Sequence, residues 1–345
     1  MTTNLPFSRA VLALPLLAAA ALGACGGSDP DPQSTAHPIA VNQLFIEDPH
    51  SGEIAAFPTA SPQSGTAFAS HVVASLNGAS GAMAYDSVHD ELYVAASATA
   101  TDTASIRVYS NASTMTTGTP TRTITFVPGI PAFSLVTTLS IDTATDTLWV
   151  YGRNGSDLIP IPAGTLLTVA HASTASGQVA DGSTVGVMAA GTTTSFAYDA
   201  GRDTAYVTGT IDSQGTPIGG VSVYPAASAT FATSGLQSPS RNIGIAGAVN
   251  VALDASRDIL YVADAQRGLW IVQQASSAAP ILVGPVAMAR TNFVAVDPAN
   301  DRLVVGAGTN AYVFENASTL GAGAVFPAPS VVGSGSDTLS SAAFH

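Results

Sequence analysis

Five times along the chain, a short run of alternating apolar residues ends at an aspartate. It then crosses a few polar positions to a second aspartate and resumes as another apolar run. The copies are Ala82–Asp86 leading to Asp90–Val94, Leu139–Asp142 to Asp146–Val150, Phe196–Asp199 to Asp203–Val207, Val251–Asp254 to Asp258–Val262, and Val294–Asp297 to Asp301–Val305. Period-two alternation with β-branched and aromatic residues predicts a strand on each side. Asp suits the turn between them because its carboxylate accepts bonds from backbone N–H groups just beyond it. A third apolar strand follows each pair and ends in a turn that is usually Ala-Ser, as at Ala60-Ser61, Ala112-Ser113, Ala227-Ser228, Ala275-Ser276 and Ala317-Ser318. The remaining copy is predicted at Ile161, with Gly164-Thr165 as its turn. Pro120–Ile124 and Pro239–Ile243 read as fourth strands, and Val325–Val332 as a weaker one.

This pattern gives six third strands against five complete pairs, and the missing pair is divided between the chain ends. Leu44–Asp48 matches a second strand, and Leu339–Phe344 matches a first strand. The marker aspartates stand at 86, 142, 199, 254 and 297, some 43 to 57 residues apart. Four-stranded units of that size, repeated radially, predict an all-β, six-bladed β-propeller closed by pairing of the N- and C-terminal strands. No gap between copies is long enough to hold a seventh blade. A linear solenoid is the rival, but an open stack has no reason to divide one unit between its ends.

Ahead of the repeats, Arg9 is the only charge before Cys25, an apolar run extends from Ala10 to Leu22, and small residues Gly23 and Ala24 precede the cysteine. That is the layout of a secretory signal. The run is too short, and interrupted by Pro15, for a membrane-spanning helix. Residues 1–24 are therefore predicted as signal peptide, 25–40 as a flexible linker and 41–345 as a single propeller domain. Cys25 is the only cysteine, which excludes an intramolecular disulfide. The formal net charge is −13, with no lysine and ten arginines, so a nucleic-acid partner is not expected.

Leu22-Gly-Ala-Cys25 resembles the lipobox of bacterial lipoproteins, which implies cleavage before Cys25 and acylation of its thiol. Gly26 rather than Asp after the cysteine resembles the outer-membrane sorting pattern. The implied location is extracytoplasmic, with the chain tethered to the cell envelope by its N-terminal lipid. The recurring "LYVAD … IVxxAS … APxRxI" resembles the NHL-type and YVTN-type propeller repeats of bacterial envelope proteins over nearly all of 41–345. In such propellers the first strand of each blade lines a central channel. The Asp turns and Ala-Ser turns then share one face, and the irregular loops share the other, where binding residues are usually found.

The resemblance specifies a fold and leaves the chemistry open. The paired aspartates suit calcium in principle, but hairpin turns need such residues whatever the function, and no EF-hand spacing is present. The channel positions four residues before each marker are Ala82, Thr138, Ser195, Asn250 and Phe293, with Ser341 as the sixth, a small and weakly polar lining. Gluconolactonase-like propellers hold a divalent metal at the channel mouth with Glu, Asn and Asp. The matches here would come from Glu47, Asp48, Asn154, Asn250, Asp264 and Asn292, but that family's opening Glu motif has no counterpart. There is no Gly-x-Ser-x-Gly, no Cys/His metal spacing and no dinucleotide fingerprint. Asn111-Ala-Ser113 and Asn316-Ala-Ser318 match a glycosylation sequon but coincide with the repeat turn. The aromatic stripe Phe45, Tyr93, Trp149, Tyr206 and Tyr261 suits packing between blades better than a sugar platform.

The sequence thus predicts a lipid-anchored binding or interaction scaffold that needs no cofactor. Its partner would be an envelope protein, a glycan or a small ligand. Asp48, Arg153, Asn154, Asn250, Asp264 and Asn292 are the candidate ligand-binding residues and Cys25 the lipidation site. The alternative is a metal-dependent hydrolase or lactonase.

Overall fold

The structure, a computed structural model, describes residues 43–48, 52–58, 66–67, 72–75, 79–96, 104–115, 118–126, 135–153, 164–179, 185–187, 195–209, 219–231, 236–288, 290–321, 323–332 and 339–344. All fall in one compact unit, Ala40–His345. The predicted signal peptide and linker, Cys25 and Asn154 lie outside the described residues. Among the described residues no helix is long and apolar enough to cross a membrane.

Six sheets, each with four antiparallel strands, form six blades arranged in a ring. Blade 1 consists of Ser341–Phe344, Gln43–Asp48, Glu53–Pro58 and Val72–Ser75, from the axis outward. Blade 2 is Ala79–Asp86, Glu91–Ala96, Ser105–Ser110 and Arg122–Phe126, and blade 3 is Leu135–Asp142, Thr147–Arg153, Gly164–Ala170 and Val185–Val187. Blade 4 is Phe196–Asp199, Thr204–Thr208, Val221–Pro225 and Arg241–Ile243. Blade 5 is Ala248–Asp254, Ile259–Asp264, Gly268–Gln273 and Ile281–Ala287, and blade 6 is Thr291–Asp297, Arg302–Ala307, Asn310–Glu315 and Val331–Val332. The C-terminal strand pairs antiparallel with the first N-terminal one, Leu44 opposite Phe344 and Glu47 opposite Ser341, which closes the ring as the divided repeat requires.

One repeat falls elsewhere than expected. Gly164-Thr165 does not form a turn; it begins the third strand of blade 3, Gly164–Ala170. The equivalent turn is His171-Ala172-Ser173, so the Ala-Ser pattern holds in this blade as well. Three blades also gain a fifth, parallel strand on the outer edge. Gly177–Val179 adds to blade 2, Leu236–Gln237 to blade 3 and Thr66–Ala67 to blade 6. Each comes from the next blade's connection between third and fourth strands, and each covers an edge that would otherwise offer unpaired backbone groups.

The apolar core lies between the blades. Six buried clusters fill the six boundaries, from Phe45, Leu92 and Val94 between blades 1 and 2 round to Ile46, Phe293 and Val304 between blades 6 and 1. The aromatic stripe divides among them, each residue facing the following blade. Tyr93 packs against Val136 and Leu148, and Trp149 packs against Phe196 and Tyr198, at centroid separations of 5.8 and 4.5 Å. The stripe is therefore the wedge between successive blades.

Both kinds of turn lie on one face and are bonded to each other. The second Asp of each pair takes a left-handed backbone, with φ between 47° and 54°, which Asp tolerates better than most residues. Its carboxylate accepts the backbone N–H and the hydroxyl of the Ala-Ser serine. The bonds are 2.8 and 2.7 Å from Ser113 to Asp90, and 2.9 and 2.7 Å from Ser276 to Asp258. The same clamp recurs at Asp146, Asp203 and Asp301. The residue before each of the five described Ala-Ser turns is also left-handed, which gives Asn111 and Asn316, in the sequon-like triplets, a conformational role. The first Asp caps its own hairpin, as Asp86 does by accepting the N–H groups of Val88 and His89.

Candidate functional site

The six first strands enclose a central channel with a cavity of about 310 Å³. Ala82, Thr138, Ser195, Asn250, Phe293 and Ser341 line it, the positions expected from the repeat. Among the described residues, no carboxylate, imidazole or guanidinium group is in the lining. Two of its polar side chains join neighbouring blades. Ser195 Oγ accepts the Val251 N–H at 3.2 Å, and Asn250 Oδ1 accepts the Val294 N–H at 3.0 Å. First strands splayed around an axis leave backbone donors that no sheet ladder reaches, and these short side chains satisfy them.

The candidate residues are distributed around the ring. Asn250 and Asp264 both belong to blade 5, on its first and second strands; Asn292 is in blade 6, and Asp48, buried, ends the second strand of blade 1. Arg153 ends the second strand of blade 3. Asp264 is fully buried and caps the hairpin that follows it: its carboxylate accepts the N–H groups of Gln266 at 2.9 Å and Arg267 at 3.0 Å, and the Trp270 indole at 3.3 Å. Gly247 lies against it, where a β-carbon would come 2.1 Å from Asp264 Oδ1. Asn292 donates from Nδ2 to the Leu339 carbonyl, tying blade 6 to the segment that closes the ring. Asn250, Asp264 and Asn292 thus spend these polar atoms on the scaffold, a poor fit to an open metal site at the channel mouth. Among the described residues, the one group of His, Cys, Asp and Glu close enough to share a metal is Asp86, His89 and Asp146, on the turn face.

Four arginines on the turn face, Arg122, Arg202, Arg241 and Arg257, strap blades together. Arg122 donates to the carbonyls of Ala172 and Ala175 in the next blade and pairs with Glu91. Arg241 reaches Ala275 in the same way, so the "APxRxI" arginine joins a fourth strand to the following Ala-Ser turn.

The loop face differs. Arg267, in the hairpin after Asp264, and Arg290, in the linker from blade 5 to blade 6, are both exposed. Neither guanidinium has a hydrogen-bond or ion-pair partner among the described residues. The two segments that carry them are bonded together: Met288 N–H donates to the Arg267 carbonyl at 3.4 Å, and Arg290 N–H to the Ala265 carbonyl at 3.0 Å. Arg290 has φ 61°, a left-handed residue that no repeat turn requires. Sequence reasoning passed over this pair. The available signal was that neither arginine occupies a repeat position.

No protein-family model matches the chain, and no curated protein sequence matches it. Similarity is found among solved structures. A chain of a nidogen/laminin complex is 12% identical over 88% of this chain and 98% of its own length, with a TM-score of 0.57. A chain of hydrazine synthase from Kuenenia stuttgartiensis is 12% identical over 79% of this chain and 80% of its own, with a TM-score of 0.51. Both are propellers, and the protein is a six-bladed β-propeller.

Proposed function

We propose that this propeller is a binding module of the bacterial cell envelope, tethered through a lipid on Cys25 at the outer membrane, and that its loop face receives the partner. The observation that carries the reading is the division of labour between the faces. On the turn face, aspartates and arginines are consumed by clamps and straps that recur from blade to blade. On the loop face, an acidic chain exposes two arginines on hydrogen-bonded segments, neither with a side-chain partner among the described residues, and one of them on a left-handed backbone that the repeat does not explain. Such a pair suits a partner bearing carboxylate, sulfate or phosphate groups. The propeller found in a nidogen/laminin complex supports the fold's use as an interaction platform.

Site-specific photo-crosslinking in intact envelopes tests this. A photoreactive residue at Gln266, on the loop face, is compared with one at Ser276, on the turn face. The reading expects a discrete adduct from Gln266 alone that disappears in Arg267→Glu/Arg290→Glu. Adducts from Ser276 and not from Gln266, or adducts indifferent to the charge reversal, would overturn it. Palmitate labelling that is lost in Cys25→Ala tests the tether separately.

A further inference from the structure

At the boundary between blades 4 and 5, Arg202 donates to Asp199 Oδ2 at 2.8 Å and to the Ala255 carbonyl of the next blade at 2.8 Å. At the boundary between blades 5 and 6, Arg257 pairs with Asp254 and reaches the Pro298 carbonyl at 2.9 Å. Each guanidinium bonds the capping carboxylate of its own blade and also feels the field of a carboxylate in the next, Asp258 for Arg202 and Asp301 for Arg257. The repeat thus places a fixed cation there, where a left-handed Asp of one blade faces the capping Asp of the blade before. Thr145 and Asn300 occupy the same turn position at two other boundaries, and their side chains bond within their own blade, to the capping Asp in each case and also to Thr147 for Thr145.

The boundary between blades 2 and 3 keeps both carboxylates and replaces the guanidinium with an imidazole. His89 Nδ1 lies 2.8 Å from Asp86 Oδ2, and one ligand atom from each of Asp86, His89 and Asp146 lies within 4.8 Å of the other two. Asp86 is buried and His89 exposed, so two carboxylates meet a ring that solvent can reach. Asp146 accepts two bonds from Ser173, which leaves lone pairs on its carboxylate. A guanidinium can only donate, whereas an imidazole that gives up its second proton to a metal offers a nitrogen lone pair.

We propose that Asp86, His89 and Asp146 bind one divalent transition-metal ion of the zinc class, which bridges blades 2 and 3 where Arg202 and Arg257 bridge their boundaries. One imidazole and two carboxylates suit zinc, and the two carboxylates balance its charge. Calcium would need more oxygen ligands than these side chains supply. Water completes the coordination on the exposed side of His89. The ion acts as a structural clasp and lies on the face opposite the loop face, so the inference does not depend on the binding function.

The test is zinc titration of the purified, chelator-treated chain, followed by calorimetry and by thermal unfolding. The wild-type chain should take up one ion and unfold about 2–5 °C higher with saturating zinc. His89→Arg installs the guanidinium that other boundaries use. It should unfold at or above the wild-type metal-free temperature and lose the zinc-dependent rise. Asp146→Asn should also lose the rise, and His171→Ala, outside the trio, should keep it. A wild-type chain with no zinc-dependent rise, or a rise that persists in His89→Arg, would overturn the proposal.

Discussion

The clamp at Asp203 gives the most direct test of what the repeat is for. Its carboxylate accepts Ser228 N–H at 2.8 Å, Ser228 Oγ at 2.7 Å and Tyr198 Oη at 2.9 Å. Ser228→Ala removes one of these. A hydrogen bond to a charged acceptor contributes roughly 1.5–3 kcal/mol when desolvated, and the exposure of Ser228 brings the expected loss to about 1 kcal/mol. Asp203→Ala removes all three and leaves alanine at φ 47°. Left-handed backbone alone costs an ordinary residue about 1–2 kcal/mol, so a total near 3–4 kcal/mol is expected. A double-mutant cycle between the two by denaturant unfolding should give a coupling of about 1 kcal/mol.

The same group sets a pH dependence. Burial alone would raise the Asp203 pKa, but the bonds from the Ser228 hydroxyl, the Ser228 N–H and Tyr198 outweigh it and hold the carboxyl below its usual 3.8. A folded pKa below the unfolded one means that this stabilisation is present above about pH 4. It is lost as pH falls through the lowered folded value. Asp203→Asn should therefore be less stable at pH 7 and flatter than wild type along the acid limb. Equal losses for Ser228→Ala and Asp203→Ala, or an unchanged acid limb in Asp203→Asn, would refute the reasoning.

Other expectations follow from single contacts. Ala226 occupies the left-handed turn position that Asn holds in two other copies, with φ 49°, so Ala226→Asn should stabilise by about 0.5–1 kcal/mol, read as a rise in unfolding temperature. Arg122→Met leaves Glu91 buried without its cation and two carbonyls of blade 3 without their donor; denaturant unfolding should show a loss of about 3 kcal/mol, partly recovered by adding Glu91→Gln. Gly247→Ala drives a methyl into the Asp264 carboxylate and should cost about 1–3 kcal/mol by the same assay, with the change in Trp270 fluorescence reporting the displaced partner.

What was legible in the sequence was whatever each blade repeats. The marker aspartates placed five hairpins, and the mismatch between third strands and strand pairs located the closing strand at the C-terminus. The third strand of blade 3 was misplaced because Ile159-Pro-Ile161 and Gly164-Thr165 imitate a strand and its turn, whereas the true turn carries His171 where other copies have Asn, Ala or Gln. The fifth strands at Thr66–Ala67, Gly177–Val179 and Leu236–Gln237 had no readable signal. Two or three residues pairing in parallel with a neighbouring blade's edge leave no alternation in their own sequence. For the candidate residues, residue type was a weak guide. Asp264 and Asn250 have the chemistry of ligands, but their hydrogen bonds go to backbone and, for Asp264, to the Trp270 indole, and only three-dimensional placement separates such caps from Arg267 and Arg290, whose guanidinium groups have no partner among the described residues.

Both faces, the channel and the blade boundaries exist only if the terminal strand closes the ring, so that closure is the claim to test first. Glu47 and Ser341 stand opposite each other across it, with Oε2 and Oγ 3.2 Å apart. Directly opposed antiparallel residues lie about 4.5–5.5 Å apart at Cα, within the range of a disulfide. In a Cys25→Ser background, Glu47→Cys/Ser341→Cys should oxidise to a single intramolecular disulfide. It should migrate faster without reductant and resist unfolding by up to about 5 kcal/mol more than its reduced form. If the two cysteines stay free under mild oxidation in the folded protein, or link only between molecules, the closed six-bladed ring is contradicted.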